Sequence, residues 1–187
     1  IIPIEDLVLL PQMTYPFRTG HLSEEELTAI RHNDQEIVAL PLKQHRGRHE
    51  VKAEDFHKVG VTLELLEVNT DEKGNRIQAK VLNRVAVSDI IIGEDIITGK
   101  TELIPEVIDL NENSQKEMMT YIQDISHQIG MNFKNSEGIV KAIDDIKDLN
   151  VLIGYICQFT PFTNEEKNTL METASLKERS LTFIDYF

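Results

Sequence analysis

The sequence predicts an α+β fold in which a β-rich first part, with one or two helices, is followed by a C-terminal helical bundle. Runs of Val, Ile, Leu and Thr separated by turn residues dominate up to about residue 110, and such runs are typical of strands. Beyond that point, apolar residues recur with the 3.6-residue period of a helix. We place the boundary in the polar segment LNENS, which divides the 187 residues into domains of residues 1–110 and 111–187.

The first part contains five runs that are predicted as strands. They are Ile4–Leu9, Glu36–Leu42, Val59–Val68, Arg76–Val87 and Thr101–Leu110. Between the third and fourth runs, the piece TDEKGNR is predicted as a hairpin turn in which Gly74 and Asn75 take positive φ. One helix is predicted at about Ser23–Asn33, because Ser23 and Glu26 have the spacing of a capping box.

Four or five helices are predicted in the second part. Three further pairs have the capping-box spacing: Ser114 with Glu117, Thr163 with Glu166, and Ser175 with Glu178. One predicted helical stripe consists of Met118, Ile122, Ile125 and Ile129. The last helix has Leu176 and Phe183 on one face and meets no Gly or Pro, so we expect it to continue in a longer parent protein.

The composition bears on partners and on the cellular compartment. With 32 acidic and 19 basic residues the net charge is −13, which opposes binding to nucleic acid. The basic stretch KQHRGRHEVK, residues 43–52, is interpreted as a solvated loop. No apolar run is long enough to cross a bilayer, so we expect no membrane partner. The single cysteine, Cys157, is consistent with a reducing compartment, and we expect the protein to be cytoplasmic.

The segment IGEDIITGKT, residues 92–101, superficially matches a phosphate-binding loop. Five residues separate Gly93 from Gly99, whereas that loop has four, and it must open a helix. The following TELIPEVIDL has the composition of a strand, so we predict a turn between two strands at Thr98–Lys100. We therefore expect no ATP site in this chain.

The remaining candidates for metal binding or catalysis do not assemble into a predicted site. His45, His49 and His57 lie close in sequence, but Gly47 predicts a loop, and a metal site is not expected. Cys157 lies in the apolar stretch VLIGYICQF and is interpreted as a core residue. We predict no catalytic residue and no cofactor.

Four segments carry a resemblance to a known family. The front segment IPIEDLVLLPQMTYPFRTG, residues 2–20, resembles the opening of the N-terminal domain of Lon proteases, with its apolar strand and Pro-x-Met-x-x-Pro turn. The strand HKVGVTLELLEV, residues 57–68, is similar to the family's strand with an internal Gly. The stretch KVLNRVAVSDI, residues 80–90, is similar to a later strand that carries an Arg, here Arg84. The helical end of the chain resembles the family's last helices before its ATPase module.

The resemblance implies a PUA-like β lobe followed by a helical lobe that leads toward an ATPase module. It implies a substrate-recognition and assembly domain of an ATP-dependent serine protease, with unfolded or damaged polypeptides as partners. It also implies that the parent protein forms a homo-oligomer, a hexamer in the family. ATP, Mg²⁺ and the Ser-Lys proteolytic pair are expected only in downstream modules.

The residues predicted to bind substrate lie in the front segment. They are Met13, Tyr15, Pro16 and Phe17, which we expect to form an adaptable apolar surface on an exposed loop. The alternative interpretation is that Met13 and Phe17 are buried core residues that anchor the chain. Two other functions stay open: a stand-alone Lon-like module that binds RNA or a small ligand, and a domain that only organises an oligomer.

Overall fold

A computed structural model describes residues 1–20, 22–32, 36–47, 50–130 and 137–187 of the chain. Within these residues, the strands are β1 (Ile2–Ile4), β2 (Thr14–Thr19), β3 (Ile37–Pro41), β4 (Val59–Asp71), β5 (Gly74–Ile92) and β6 (Ile97–Ile104). The helices are α1 (Glu24–His32), α2 (Glu112–Gly130), α3 (Glu137–Asp145), α4 (Leu149–Cys157), α5 (Asn164–Glu172) and α6 (Leu176–Asp185). A short 3-10 helix spans Ala53–Asp55. The α+β class is confirmed.

The strands form one mixed sheet in the order β1-β3-β4-β5-β2, with β6 also paired to β5. The pair β1–β3 is parallel, and the other pairs are antiparallel. Strand β5 has 19 residues and pairs with three other strands. On the edge that faces away from β4, it pairs first with β2 and then with β6, so those two short strands follow one another along it.

The turn between β4 and β5 was predicted in the right place. Strand β4 ends at Asp71 and β5 begins at Gly74, which has a φ of 113° and so occupies the region that favours glycine. Asn75 does not share this conformation, which corrects the prediction. Its side chain instead donates to the carbonyl of Gly20 (2.9 Å) and accepts from the Thr70 hydroxyl (2.6 Å), which ties the turn to the end of β2.

The front of the chain differs from the prediction. Strand β1 ends at Ile4, and the predicted strand Ile4–Leu9 continues as an irregular segment that buries its apolar side chains. The segment interpreted as an exposed loop is the strand β2. Its Pro16 suggested a loop, but β2 lies at an edge of the sheet, where a residue without an N–H is tolerated.

The predicted turn at Thr98–Lys100 is also corrected. These residues lie inside β6, and the connection from β5 runs over residues 93–96, closed by a hydrogen bond from the Gly93 N–H to the Ile96 carbonyl (2.9 Å). The strand predicted at Thr101–Leu110 is present only as far as Ile104, as the second half of β6. In a phosphate loop a helix would stand there.

Helix starts were predicted with mixed success. The boxes of Ser23 with Glu26 and of Thr163 with Glu166 are both present with reciprocal bonds. Helix α2 begins before the predicted Ser114, because the side chain of Asn111 accepts from the Ser114 N–H at 2.9 Å. Ser175 accepts from the Glu178 N–H (3.0 Å) as predicted, but its own hydroxyl donates to Asp109 (2.5 Å).

The main hydrophobic core draws on both parts of the chain. It joins sheet residues such as Ile77 and Val81 with helix residues such as Ile122, Leu152 and Phe183. The helices after β6 therefore pack with the sheet, which corrects the expectation of a separate helical bundle. The change from strand to helix falls between Ile104 and Glu112. The division into two domains near residue 110 stays a prediction.

Helix α4 contacts the front segment through a glycine, and this contact gives a testable prediction. A Cβ on Gly154 would overlap the Sδ of Met13, whereas a Cβ on Gly138 in α3 would meet nothing within 4 Å. We expect Gly154→Ala to lower the free energy of unfolding by about 1–3 kcal/mol, because the extra methyl overpacks a filled site. Gly138→Ala should raise it by roughly 0.5–1 kcal/mol, since alanine favours helices. Urea denaturation of the two variants measures both; equal effects would contradict the packing argument.

Candidate functional site

Three of the four predicted binding residues lie on β2 and Met13 directly precedes it, and the side chain of Pro16 points to the opposite face of the sheet from those of Tyr15 and Phe17. Met13, just before the strand, and Phe17 are buried, at 2% and 5% exposure. Tyr15 is half-buried, and Pro16 is exposed. The burial of Met13 and Phe17 agrees with the alternative interpretation, in which these two side chains belong to the core. The exposed-loop interpretation of the segment was wrong.

The contacts of Met13 indicate that its role is structural. Its sulfur accepts a hydrogen bond from the Leu10 N–H at 3.3 Å and lies against Gly154 of α4. Phe17 is paired with Ile77 of β5 across the sheet. Together these contacts hold β2 against the helical layer.

Tyr15 faces the helices and reaches the surface beside α4. Burial, and then the neighbouring Tyr155, raises the pKa of the Tyr15 hydroxyl. The Tyr155 ring lies 5.1 Å from that of Phe159, which is 46% exposed. Across the sheet, Tyr15 is paired with Ala79, which is paired in turn with Leu65 of β4. One row of side chains therefore leads from the aromatic residues of α4 to the far edge of the sheet.

A groove lies at that far edge, between α1 and β4, and encloses a cavity of about 450 Å³. We call it the α1–β4 groove. Its lining residues are Leu27, Ile30, Arg31, Ile37, Glu64, Leu65, Leu66, Glu67, Val68 and Thr70. The volume is within the range of ligand-binding clefts. The floor is apolar and half-buried, and the charged residues stand at the rim.

Local irregularity in β4 shapes this groove. The pairing of β4 with β5 shifts register between Leu65 and Glu67, which marks a bulge at Leu66. Regular alternation from Leu65 would already turn Leu66 outward, so the bulge instead changes the residues after it and returns Val68 to the inner face, paired with Ile77. Leu66 is 53% exposed, an unusual position for a leucine beside an apolar cleft. On the opposite wall, Leu27 and Ile30 are three positions apart on α1 and so share one helix face.

Helix α1 is fixed in place at its first turn. Besides its capping box, the Ser23 hydroxyl donates to the carbonyl of Asp95 in the β5–β6 turn at 2.5 Å. A second cavity, of about 350 Å³, lies on the other side of α1, between it and β6, and shares Ile30 and Ile37 with the groove. Helix α1 thus forms a wall of both clefts.

The charged residues that line the α1–β4 groove are Arg31 of α1 and Glu64 and Glu67 of β4. Helix α1 has three Glu in its first turn and one Arg, Arg31, while β4 contains Glu64, Glu67 and Asp71 and no Lys or Arg. Two of the strand carboxylates have a basic neighbour: Arg18 donates two bonds to Asp71 (3.0 and 2.7 Å), and Lys80 is paired with Glu64 across the sheet. Glu67 is paired with the neutral Gln78 and accepts from Asn69 at 2.8 Å. The groove therefore combines an apolar floor with a rim that carries charges of both signs.

A buried charge network stands apart from this surface. Arg84 of β5 and Arg179 of α6 are fully buried and both bind the carboxylate of Glu106, which follows β6. Arg84 also donates to the Met171 carbonyl at 2.5 Å, and Asn150 of α4 hydrogen-bonds Arg179. Burial, and then the charge of Arg179, lowers the pKa of Arg84 to about 9; burial lowers the pKa of Arg179 to about 10. This network connects the sheet to three helices.

The sequence suggested three histidines and one cysteine as possible reactive groups. Those that the structure describes have contacts typical of structural residues. His45 is paired with Glu5 at 2.5 Å and His57 lies 4.0 Å from Glu172, while His49 lies outside the described residues. The described residues contain no group of three or more potential metal ligands among His, Cys, Asp and Glu. Cys157 is buried as predicted, and burial raises the pKa of its thiol. No helix in the described ranges combines the length and apolar character needed to cross a membrane.

These features define a class: an α+β domain with an open cleft between a helix and the sheet, in which apolar side chains form the floor and charged side chains form the rim. Comparison with known proteins identifies the family. The family model described as the ATP-dependent protease La (LON) substrate-binding domain matches residues 1–186. The chain therefore belongs to the Lon substrate-binding domain family, as the front motif and the strand with Arg84 predicted.

Relatives and solved structures agree with this assignment. The Lon protease of Clostridium beijerinckii is 42% identical over 186 residues, which cover 100% of this chain and 23% of that protein. The Lon protease of Methanosarcina barkeri is 24% identical over 186 residues, covering 98% and 23%. The N-terminal domain of Mycobacterium avium complex Lon protease has the same fold, with a TM-score of 0.73 at 16% identity over 99% of this chain and 95% of that one. The chain thus spans about 23% of the length of the curated relatives it matches.

Proposed function

We propose that this domain binds exposed apolar segments of unfolded or damaged polypeptides and presents them to the ATPase and protease modules of a Lon-type parent. The parent is a cytoplasmic homo-oligomer in this proposal, a hexamer, and the β-rich part is of the PUA-like type. The family supports substrate binding, and the domain itself needs no cofactor for it. We also propose the place on the domain at which the polypeptide binds.

The α1–β4 groove is the observation that carries the proposal. Leu66 is 53% exposed above a floor of half-buried apolar side chains, so the groove offers apolar surface that is available to a partner. An unfolded polypeptide presents apolar side chains at irregular spacing, so an open cleft with several shallow apolar contacts suits it better than one deep pocket. Binding there removes apolar surface from water on both sides.

Tyr15 extends the same surface. It lies in one cross-strand row with Leu65 and beside Tyr155, so a segment that occupies the groove has a second apolar contact about two strand spacings away, roughly 10 Å. Tyr15 is retained as a contact residue, whereas Met13 and Phe17 act by holding β2 in place. Pro16 faces the other side of the sheet and stays a separate prediction.

Affinity of one isolated domain is expected to be low. A single buried leucine contributes about 1.5–3 kcal/mol, and ordering an unfolded partner offsets part of this. In a hexamer, several grooves acting on one polypeptide raise the overall affinity through effective concentration. Binding should therefore be measured at high domain concentration.

Leu66→Ser tests the groove directly. We expect this variant to weaken binding of a reduced, carboxymethylated model polypeptide about ten-fold, because it removes one apolar contact of roughly 1.4 kcal/mol. Fluorescence anisotropy measures the affinity. The matched control is Leu103→Ser on β6, a leucine of similar exposure, 59%, that does not line the groove. Equal losses in both variants, or none in either, would place the binding surface elsewhere.

The RNA-binding alternative predicts a different result. Affinity for phosphate backbones depends on basic residues and falls as salt rises. The net charge of −13 opposes it, so we expect no salt-dependent binding of labelled RNA. The alternative that the domain only organises an oligomer predicts that the unaltered chain does not bind the polypeptide.

A further inference from the structure

We infer that the α1–β4 groove binds its polypeptide as an added antiparallel strand, held by hydrogen bonds to the free backbone edge of β4. The inference rests on the proposed function and names the class of segment that the site takes. That class is an extended stretch with free backbone N–H groups. Helical segments are excluded, because their backbone groups already bond to one another.

The first observation is that β3 covers only part of β4. The two strands pair over Val61–Leu63 of β4, and Ile37, the first residue of β3, lies opposite Leu63. Strand β4 continues to Asp71, and in the described part of the chain no strand pairs with its groove-facing edge beyond Leu63. An unpaired edge is a template for another extended chain. An added segment would therefore extend the pairing that β3 begins.

The pairing of β5 shows which backbone groups of β4 face the groove. The Val81 N–H donates to the Met13 carbonyl at 2.8 Å, so the backbone groups of Val81 point away from β4. These directions alternate along a strand, so the groups of Ile77, four residues earlier, also point away. Its partner on β4, Val68, therefore directs its N–H and C=O away from β5 and into the groove. Thr70, two residues further on, does the same.

The groove joins this free edge to an apolar floor. Val68 and Thr70 both line the groove, and its cavity of about 450 Å³ separates them from α1. Residues directly opposite each other in an antiparallel pair have their side chains on the same face, so a residue paired with Val68 places its side chain on the floor. The stretch from Leu65 to Thr70 is roughly 15 Å long, the length of about five residues in a strand. The site therefore suits an extended segment with alternate apolar residues.

A single polypeptide segment fits this edge better than a second copy of the domain. A second domain that paired through its own β4 would bring its β5, which flanks β4, against α1. One extended chain has no such flanking strand. Backbone hydrogen bonds also form with any sequence that can extend, apart from proline at a paired position. This mode thus suits the varied sequences of unfolded polypeptides.

Backbone methylation of the ligand tests this mode without changing a side chain. The probes are a fluorescently labelled peptide of alternating leucine and serine and two N-methylated versions of it, one methylated on every leucine and one on every serine. In the antiparallel arrangement, the residues that face the floor direct their N–H groups to β4. We therefore expect methylated leucines to weaken binding about ten-fold or more, and methylated serines by less than about two-fold. Fluorescence anisotropy measures the affinities, and equal values for the two methylated peptides would overturn the inference.

Thr70→Pro tests the same bonds from the side of the protein. It removes one N–H that points away from β5, a position where an edge strand tolerates proline. Thr70→Val is the matched control, because it keeps the N–H and loses only the hydroxyl that donates to Asn75. We expect Thr70→Pro to weaken binding of the unmethylated peptide about five-fold, and Thr70→Val to leave it unchanged. Equal affinities in two folded variants would contradict the inference, and the methylated peptides test it on the unaltered chain if Thr70→Pro does not fold.

The outcomes also distinguish this inference from the proposed function. If Leu66→Ser weakens binding while the two methylated peptides bind equally, the groove binds apolar side chains and strand addition is wrong. If Leu66→Ser leaves the binding of every peptide unchanged, the groove is not the site, and both statements fail together. Light scattering covers the remaining occupant: a dimer of the chain that Thr70→Pro dissociates would assign the edge to a second copy and overturn the inference.

Discussion

Replacing Glu106 by Gln should lower the free energy of unfolding by roughly 3–5 kcal/mol, the cost of breaking a buried ion pair by removing one partner. Glu106 is the carboxylate that Arg84 and Arg179 share, and both guanidinium groups are fully buried. Glutamine is nearly the same size and still accepts a hydrogen bond, so the change isolates the charge. Two buried positive charges would then remain with no shared counter-charge in this network.

The pKa values indicate how poorly this site tolerates uncompensated charge. Burial is the main factor that lowers the pKa of Arg84 to about 9, and the charge of Arg179 lowers it further. Both groups are still protonated at neutral pH, so the carboxylate is needed there. Among the described residues, Arg84 Nη2 and Arg179 Nε have no hydrogen-bond partner, which leaves the network little to compensate a further loss.

Urea denaturation followed by circular dichroism measures the effect of Glu106→Gln. The control is Glu102→Gln, an exposed position on β6 with the same change of charge, for which we expect a change within about 0.5 kcal/mol. A loss at Glu106 no larger than at Glu102 would show that the network contributes little to stability. Measuring at neutral pH keeps both arginines charged.

This network also shows what the sequence alone could not reveal. The resemblance to a known strand identified Arg84 as a residue of interest, but its partners lie 22 residues on in Glu106 and 87 residues on in Met171. Local patterns determine caps and turns, so the Ser23 and Thr163 boxes were predicted correctly. Contacts over long sequence separations depend on the packing of the sheet against the helices, which no local pattern specifies.

The groove was missed for a different reason. Regular alternation in LELLEV assigns Leu65 and Leu66 to opposite faces and would turn Val68 outward, and nothing in that pattern indicates that a bulge returns Val68 to the floor of the groove. The front motif, in contrast, suggested a binding surface because Met and aromatic residues stood beside a proline. There, a strand at the sheet edge accommodated Pro16, and two of the four side chains turned into the core.

Met13→Ala should lower the free energy of unfolding by roughly 2–5 kcal/mol, because it leaves a cavity at a site with no freedom to collapse. Met13 is 2% exposed and lies against the Gly154 backbone, where the absence of a side chain lets helix α4 approach β2 closely. The same truncation at the surface would cost little. The magnitude of the loss therefore distinguishes a core residue from the binding residue that the sequence suggested.

Two further measurements separate a core role of Met13 from a direct role in binding. Met13→Leu nearly conserves volume and should cost less than about 1.5 kcal/mol, so it serves as the packing control. At a temperature where both variants are folded, we expect each to bind the unfolded model polypeptide as the unaltered chain does, because Met13 is covered by α4. If Met13→Ala instead kept its stability and lost binding, the side chain would have to reach the polypeptide directly. That result would require β2 to separate from α4 during binding, and it would move the site from the α1–β4 groove to the front of the chain.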